Sequence, residues 1–368
     1  MYKGRIARFD APGQPFTIET VKLPDVHPGE ILIKVARTNI CGSDLHAWHG
    51  TFATGGLGGK LPTVLGHEMV GAITALGEGV TRDANGAPLQ IGTRVVFPYF
   101  FCCHTCRNCL AGRRNACENL KMAMLGRADE PPFFVGGYGD YFLLPAGAVA
   151  YTVPDNVPDA IASGANCALS QVMYGLERAN LQLGESVLVQ GAGALGLYAI
   201  AVAKAWGASQ VIAIDGVPER LALATEFGAD AVININDVHT EKARVALVRE
   251  MTHGRGADVV VEVVGHPSAI DEGLKMLAQF GRYVEIGNIN LGKTFEFDPS
   301  RFVFANKTMI GVSLYEPAVL SRALTFLERY QTTFPFDRLA AACYPLDNIN
   351  EAFAAANNRR DVRASIVP

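Results

Sequence analysis

The 368-residue sequence is short of charge: only 18% of it is Asp, Glu, Lys or Arg, and 36 acidic residues nearly cancel 32 basic ones to leave −4. No Lys/Arg cluster interrupts that balance, so no nucleic-acid partner is expected. Low-complexity tracts, internal repeats and long linkers are also missing. With 49% hydrophobic residues, that excludes a disordered, fibrous or coiled-coil chain. An unbroken membrane-length apolar run is lacking as well. The nearest candidate, VLVQGAGALGLYAIAVAKAWGA, is interrupted by Gly and begins as a strand, so it reads as buried elements of a globular protein. The first residues, MYKGRIARFDAPGQPF, show neither an apolar core nor a cleavage site. No secretory leader and no membrane partner are expected, and a cytoplasmic location is.

Cysteine is present in an informative pattern. Four of the eight lie in FFCCHTCRNCLAGRRNAC, where Cys103, Cys106, Cys109 and Cys117 are spaced C-x2-C-x2-C-x7-C. Cysteines two residues apart rarely form disulfides, whereas thiolates at that spacing can converge on one tetrahedral ion. At the cysteine frequency of this chain, three more at preset offsets arise by chance on the order of 10⁻⁵ per starting Cys. A structural zinc is favoured over a redox cluster or an iron–sulfur centre, because four closed sulfur ligands on a loop need only a structural ion.

The chain changes rhythm along its length. Its first 150 residues hold short apolar runs between turn signals (EILIKVAR, EMVGAITALG, TRVVFPYF, GDYFLLPAG), which predicts an irregular, strand-dominated domain. RDANGAPLQ, at 82–90, reads as a surface turn. From about residue 160 strands and helices alternate: SVLVQ, an Ala-rich helix, QVIAID, PERLALATEFGA, DAVINI, a charged helix near 240–252, ADVVVEVVG, a helix in AIDEGLKMLAQFG, and RYVEIG. Short β-branched runs separated by helical patterns predict an α/β unit with a doubly wound parallel sheet. After residue 310 the pattern is mixed again.

Gly191, Gly193 and Gly196 form G-x-G-x-x-G directly after SVLVQ and at the head of a helix, and a second strand ends in Asp215. In that context the motif predicts a dinucleotide site, with the pyrophosphate on the helix N-terminus and Asp215 on the adenosine ribose. The Asp215 charge would repel a 2′-phosphate, which favours NAD over NADP, and Arg220 could soften that repulsion. Ala194 and Leu195 in the turn, with Val264 and Ile286 further along, complete the expected cofactor contacts.

Three more potential ligands are dispersed: Cys41 in NICGSDLH, His67 in LGHEMVG and Cys167 in GANCALSQ. Two thiolates and an imidazole leave a fourth zinc position for water or substrate, the pattern of a catalytic site. Each alone has an ordinary reading, as a core cysteine or a satisfied polar histidine. Together with C-G-S-D-x-H, G-H-E, the four-Cys segment, GGYGDY and GAGALG, in that order, the sequence resembles the zinc-dependent medium-chain alcohol dehydrogenase family over essentially its whole length.

The resemblance implies a mostly β, GroES-like catalytic domain over 1–167 and 311–368, with a Rossmann-type NAD-binding domain over 168–310. It also implies two zinc ions, one structural in the four-Cys lobe and one catalytic on Cys41, His67 and Cys167. By the same match Glu68 is the carboxylate behind the metal, and Asp44 the group that orients His67. Ser43 would contact the substrate hydroxyl, and His46 would end a proton relay. The implied activity is reversible oxidation of an alcohol to an aldehyde or ketone with NAD⁺, in a homo-oligomer, either dimer or tetramer. Two departures stand out. Gly42 occupies a position where some relatives carry an Arg facing the pyrophosphate. Cys167 occupies one where polyol-type relatives tend to have Glu, which moves weight toward simple or bulky hydrophobic alcohols and keeps a polyol or amino-alcohol dehydrogenase as the alternative. A non-catalytic nucleotide- and zinc-binding protein is disfavoured, because Ser43, His46 and the ligand set are all present. Cys102 and Cys343 match no ligand position. Trp48, Phe52 and Tyr99, with the loop TFATGGLGGKLP, are candidates to line the substrate pocket.

Overall fold

The computed structural model describes residues 2–51, 60–358 and 362–368. The chain separates into two compact units, one of Met1–Cys167, Glu316–Thr332 and Phe336–Pro368, the other of Ala168–Tyr315 and Thr333–Pro335. Among the described residues no helix is long and apolar enough to cross a membrane.

The first unit is built largely of strands. In chain order it has β1 (Lys3–Phe9), β2 (Thr17–Lys22), β3 (Ile31–Asn39), α1 (Gly42–Trp48), β4 (Thr63–Val64), β5 (Glu68–Leu76), β6 (Arg94–Val96), β7 (Phe100–Phe101), α2 (Arg107–Leu110), β8 (Lys121–Met122), β9 (Tyr141–Leu144), β10 (Tyr151–Thr152) and α3 (Asp159–Ala162). A three-stranded sheet runs β2-β1-β4. In the larger sheet β3 is central, with β5 along one edge and β9 along the first half of the other. Residues 82–90 do form a turn, in which the Asp83 carboxylate accepts the Asn85 and Ala87 N–H groups.

The second unit begins with α4 (Ser170–Arg178) and continues β11 (Ser186–Gln190), α5 (Ala194–Ala205), β12 (Gln210–Asp215), α6 (Pro218–Glu226), β13 (Ala231–Asn234), α7 (Glu241–Met251), β14 (Ala257–Glu262), α8 (Pro267–Met276), β15 (Leu277–Glu285), α9 (Pro299–Phe304) and β16 (Thr308–Gly311). Its six strands are all parallel, in the order β13-β12-β11-β14-β15-β16. The chain leaves β11 in one direction and returns to its other side at β14, so the order reverses beside β11, where open parallel sheets bind ligands. Helix α5 is apolar nearly all round and buries eight of its twelve residues, as expected of a helix enclosed by its own unit. Pro at the first turn starts α6, α8 and α9, where its missing N–H costs nothing.

One boundary differs from the sequence reading. The helix expected through AIDEGLKMLAQFG stops at Met276, and Leu277 opens β15 by pairing with Ala257 of β14. The register then jumps to Val259↔Arg282, with Phe280 at φ +58° inside the irregularity. Leu277 is buried and pairs with Ala257 in the strand rather than continuing the helix, a tertiary pairing that local periodicity cannot signal.

The chain returns to the first unit with α10 (Ala318–Tyr330), β17 (Ala342–Pro345), α11 (Ile349–Asn357) and β18 (Ala364–Val367). Strand β18 fills the rest of the β3 edge, pairing Ser365 with Asn39, while β17 lies outside it. The core beneath is aromatic: Phe16 packs on Phe9 and Phe353 at ring-centroid distances of 5.4 and 4.6 Å, and Tyr138 meets Phe353 edge-on at 5.6 Å.

Candidate active site

The site in the first unit grows from the two edges of β3. On one side Asn39 pairs with Glu68, so the residues that follow β3 (Cys41 to Asp44) lie beside His67 and Glu68. On the other, β18 brings Arg363 to the same place, where its guanidinium is in direct ionic contact with Glu68 and both side chains are buried. The Asn39 side chain bonds to Ser163 and Ser365, at 3.1 and 2.8 Å, and so fixes the approach of α3. The chain then makes one turn of π-helix over Ala165–Leu169, a geometry frequent at functional sites. Asn166 donates to the carbonyl oxygens of His67 (2.9 Å) and Phe97 (3.0 Å), which delivers its neighbour Cys167 to the cluster.

Ligand atoms of Cys41, His67, Glu68 and Cys167 all lie within 4.8 Å of one another. Cys167 Sγ is 3.6 Å from His67 Nε2. A tetrahedral zinc with ordinary Zn–S and Zn–N bonds sets that edge at about 3.6 Å. The donor set also asks for a cation: Glu68 Oε1 is buried without a hydrogen-bond donor. Burial pushes the Glu68 carboxyl up to about 8 against the pull of Arg363. The Cys167 thiol, hydrogen-bonded to Cys41, holds Cys41 well below the usual thiol range and is itself raised by the same contact. These residues therefore fit a zinc ion.

Asp44 is wholly buried and anchors the other side of His67. Its carboxylate accepts the N–H groups of Cys41 (2.9 Å) and Gly66 (3.2 Å) and the Tyr138 hydroxyl (3.0 Å), and it lies 3.4 Å from His67 Nδ1. Burial disfavours a charged His67, but Asp44 and Cys41 outweigh it and raise the ring. Through Tyr138 and Asp44 the aromatic core thus reaches the His67 imidazole. Ser43 Oγ stands 3.4 Å from His67 Nε2. His46 lies one turn further on. The Thr51 hydroxyl donates to the His46 carbonyl (3.0 Å), so its oxygen accepts from His46 Nδ1 (3.1 Å), leaving Nε2 as the basic atom. Burial lowers the His46 pKa. Of the pocket aromatics, Tyr99 packs on the His67 ring at 4.8 Å, whereas Trp48 packs on Phe353 of the core at 6.0 Å. Phe52, with most of the TFATGGLGGKLP loop, lies outside the described residues.

The four-Cys segment forms a second cluster, again with all four sulfurs within 4.8 Å. Cys117 Sγ is 3.5 Å from Cys103 Sγ and 3.9 Å from Cys106 Sγ, and none of the cysteines is in a disulfide. The S···S edge of a zinc tetrahedron is about 3.8 Å. The sulfurs accept N–H groups from Cys103, Cys106, Glu118 and Asn119. Donation from Asn119 and nearby main chain brings Cys103 down to about 5, while burial pushes Cys109 up to about 12. Cys102, adjoining the cluster, is raised to about 11, chiefly by burial, and hydrogen-bonds the Arg114 carbonyl instead. Cys343 is exposed.

In the second unit the glycines of the fingerprint have distinct roles. Gly191 has φ +97°, which only glycine adopts without strain. A Cβ on Gly196 would stand 1.8 Å from the Gly191 carbonyl oxygen, so the third glycine lets α5 close on the turn. Gly193 caps α5 with no side-chain partner, and the nearest atom to a Cβ there would be Arg220 Nη1 at 3.9 Å. Open N–H groups at a helix start, next to a guanidinium, suit a pyrophosphate. Asp215 ends β12, and its carboxylate accepts the N–H groups of Ala192 (2.7 Å), Gly216 (2.7 Å) and Val217 (2.9 Å). Sequence reasoning missed that second task of Asp215, which holds the turn together. Ala194 and Leu195 are partly exposed at the helix start. Val264 is 55% exposed beyond β14, and Ile286, just past β15, is buried. A cavity of about 730 Å³ in this unit lies elsewhere, among α7, α8 and α9. Its Lys275 is paired with Glu241 and Asp271 and its Arg301 with Asp298, while Arg249 and Lys307 cap carbonyls at the end of α8.

Comparison with known proteins agrees with this geometry. Residues 27–155 match the family described as alcohol dehydrogenase GroES-like domain, and residues 194–329 match that described as zinc-binding dehydrogenase. The chain is 34% identical over 339 residues to 5-exo-hydroxycamphor dehydrogenase of Pseudomonas putida, covering 91% of each protein. It is 31% identical over 361 residues to erythritol/L-threitol dehydrogenase of Mycolicibacterium smegmatis, covering 96% of this chain and 94% of that one. The crystal structure of an alcohol dehydrogenase from Thermotoga maritima superposes with a TM-score of 0.94 at 26% identity over the whole of both chains. The chain belongs to the zinc-binding alcohol dehydrogenases of the medium-chain dehydrogenase family.

Proposed function

We propose that this protein is an NAD-dependent alcohol dehydrogenase that acts on a secondary or bulky hydrophobic alcohol. It would bind one zinc on Cys41, His67 and Cys167 and another on Cys103, Cys106, Cys109 and Cys117. The observation that carries the reading is the buried set of two thiols, an imidazole and an orphaned carboxylate oxygen, with Ser43 at its edge. A zinc ion there supplies a Lewis acid that eases loss of the alcohol proton, and NAD⁺ supplies the hydride acceptor. The remaining work is done by the chain. Ser43 receives the hydroxyl proton, and His46, kept neutral by partial burial and with Nε2 basic, passes it on. Asp44 and Tyr138 hold the His67 ring in place. The second unit would bind the dinucleotide, with Gly191, Gly193, Ala194, Leu195 and Gly196 around the pyrophosphate. Arg220 offers the cation that Gly42 does not. Asp215 has about four lone-pair sites, three of them used by main-chain N–H groups. One remains for a ribose hydroxyl, and its charge opposes a 2′-phosphate. Val264 and Ile286 would flank the nicotinamide. The working form would be a cytoplasmic homo-oligomer.

The substrate class rests on Cys167 in place of a carboxylate and on the bicyclic secondary alcohol named for the Pseudomonas putida relative. The Mycolicibacterium smegmatis relative is named for tetritols, which supports a polyol as the second reading. A screen of the zinc-replete protein with NAD⁺ and NADP⁺ over terpene alcohols, benzylic alcohols, tetritols and threonine decides both points. Highest kcat/KM on hydrophobic secondary alcohols with NAD⁺ is the expected result. A tetritol or threonine optimum would replace it, and values within threefold for the two cofactors would remove the role given to the Asp215 charge.

A further inference from the structure

Two carboxyl groups that the reaction does not use face each other at the ends of adjacent parallel strands. Glu262 is the last residue of β14, Glu285 is the last of β15, and the register pairs them directly. Glu262 is wholly buried, Glu285 partly so, and among the described residues neither forms an ion pair. Glu262 Oε1 accepts the N–H groups of Val264 (2.6 Å) and Gly265 (2.8 Å), and Oε2 accepts from the Asn288 side chain (3.0 Å). Glu285 Oε1 accepts the main-chain and side-chain N–H groups of Asn288 at 2.9 and 3.1 Å. Glu285 Oε2 is buried and has no donor.

Two carboxylates paired in register and sharing the Asn288 amide as donor do not both ionise in such buried surroundings. One proton held between the two carboxyls removes their repulsion. Burial, reinforced by Glu285, pushes the Glu262 carboxyl up to about 8. The other ionisable groups nearby do not offset this. Tyr283, on β15, gives its hydroxyl to Gln190 of β11. Glu272, on α8, is paired with Arg244. The His266 ring engages Ser268, and Arg178 of α4 donates to the Gly311 carbonyl.

The pair joins two loops. A Cβ on Gly265 would lie 2.6 Å from the Gly287 carbonyl oxygen, and one on Gly287 would lie 2.5 Å from the Gly265 nitrogen and 2.6 Å from Glu262 Oε2. The main chains after β14 and β15 are therefore pressed together over the two acids, and they carry Val264 and Ile286. We propose that Glu262 and Glu285 share a proton and form a clasp that positions these loops for the nicotinamide half of the dinucleotide, so that loss of the proton weakens its binding. Both are positioning residues, and the inference rests on the dinucleotide site proposed above.

The test is binding of NAD⁺ and of ADP-ribose to the intact protein by calorimetry between pH 6.5 and 9.5, alongside thermal unfolding without ligand. For the wild type, Kd for NAD⁺ should rise about tenfold across that range, while ADP-ribose, which lacks nicotinamide, changes less than about twofold. Glu285→Gln supplies an amide donor to Glu262 in place of the proton, so NAD⁺ binding should stay tight at pH 9.5. Stability has a determined sign. A carboxyl raised in the folded state gives stability that is full below its unfolded pKa and is lost as pH rises through about 8. The unliganded wild type should therefore lose more stability between pH 6.5 and 9.5 than Glu285→Gln does. Identical pH profiles for the two proteins, in NAD⁺ binding or in unfolding, would overturn the clasp. Failure of both proteins to bind either ligand at any pH would instead remove the dinucleotide site, and the role of the clasp with it.

Discussion

The two four-residue clusters of the first unit have opposite constructions. The four thiols at Cys103–Cys117 come from one short segment and are held by N–H groups of that segment. The set at Cys41, His67, Glu68 and Cys167 is drawn from three distant segments. Its members are held by buried side chains: Asn39, Asp44, Tyr138, Asn166 and Arg363. A local cluster depends on its ion for shape, because little else encloses it. The dispersed one is shaped by a sheet and an aromatic core, so its geometry can outlast the loss of a ligand. On the proposed reading, structure in the first case would follow the metal, and in the second the metal would follow the structure.

Substitutions at each cluster can break that contrast. The largest effect should come from Cys41→Ser, which removes a ligand from the enclosed set. Turnover should fall by at least about 10³-fold while circular dichroism and the unfolding midpoint stay near wild type and zinc falls from two ions to one. A collapse of the fold would show that the buried site also depends on its ion. Next is Arg363→Ala, which above about pH 8, where the Glu68 carboxyl is ionised, strands its charge in the interior. Removing one partner of a buried pair costs about 3–5 kcal/mol, read as a lower denaturant midpoint at unchanged slope. An effect below about 1 kcal/mol would mean that Glu68 is already neutral in the folded protein. Cys103→Ser, in the lobe, should again leave one zinc, but here stability should drop by about 2 kcal/mol, or roughly 4–8 °C in Tm. Residual kcat per folded molecule should remain within about threefold of wild type. Smallest is His46→Ala, at about tenfold or less in kcat/KM for alcohol oxidation, because water can bypass a remote relay member. Its pKa is lowered by burial, so the loss should persist to pH values below the usual histidine range, and added imidazole should partly restore the rate. An unchanged pH–rate profile would take His46 out of the relay.

What could be read in advance follows the same division. The lobe was legible because spacing alone states it, and the fingerprint because strand, glycines, helix and Asp215 are consecutive. Cys41, His67 and Cys167 carried no local pattern and needed the family resemblance to be joined. Arg363 could not be found from its surroundings: VRASIVP gives no sign that its strand pairs with β3 beside Asn39. Nor could Glu262 and Glu285, which look like solvent-facing ends of two strands until the register sets them side by side. The early start of β15 was missed for a related reason, since Leu277 is committed to Ala257 rather than to the helix before it. Local chemistry was readable, and contacts between strands were not.

The position of β18 also orders events during synthesis. All four lobe cysteines have been made once Cys117 is added, and the second unit is almost one continuous stretch. The bed of the buried site is incomplete until Arg363 and Ser365 have emerged, long after Cys167. Until then Glu68 has no counter-charge and the second edge of β3 is open beyond β9. On the proposed reading, the lobe could therefore take up a zinc ion while the ribosome is still working. The buried site reaches its final shape only once Arg363 and Ser365 are in place, so on the proposed reading it would take its zinc later than the lobe does. Under zinc shortage, newly made molecules should accumulate with the lobe filled and the active centre empty.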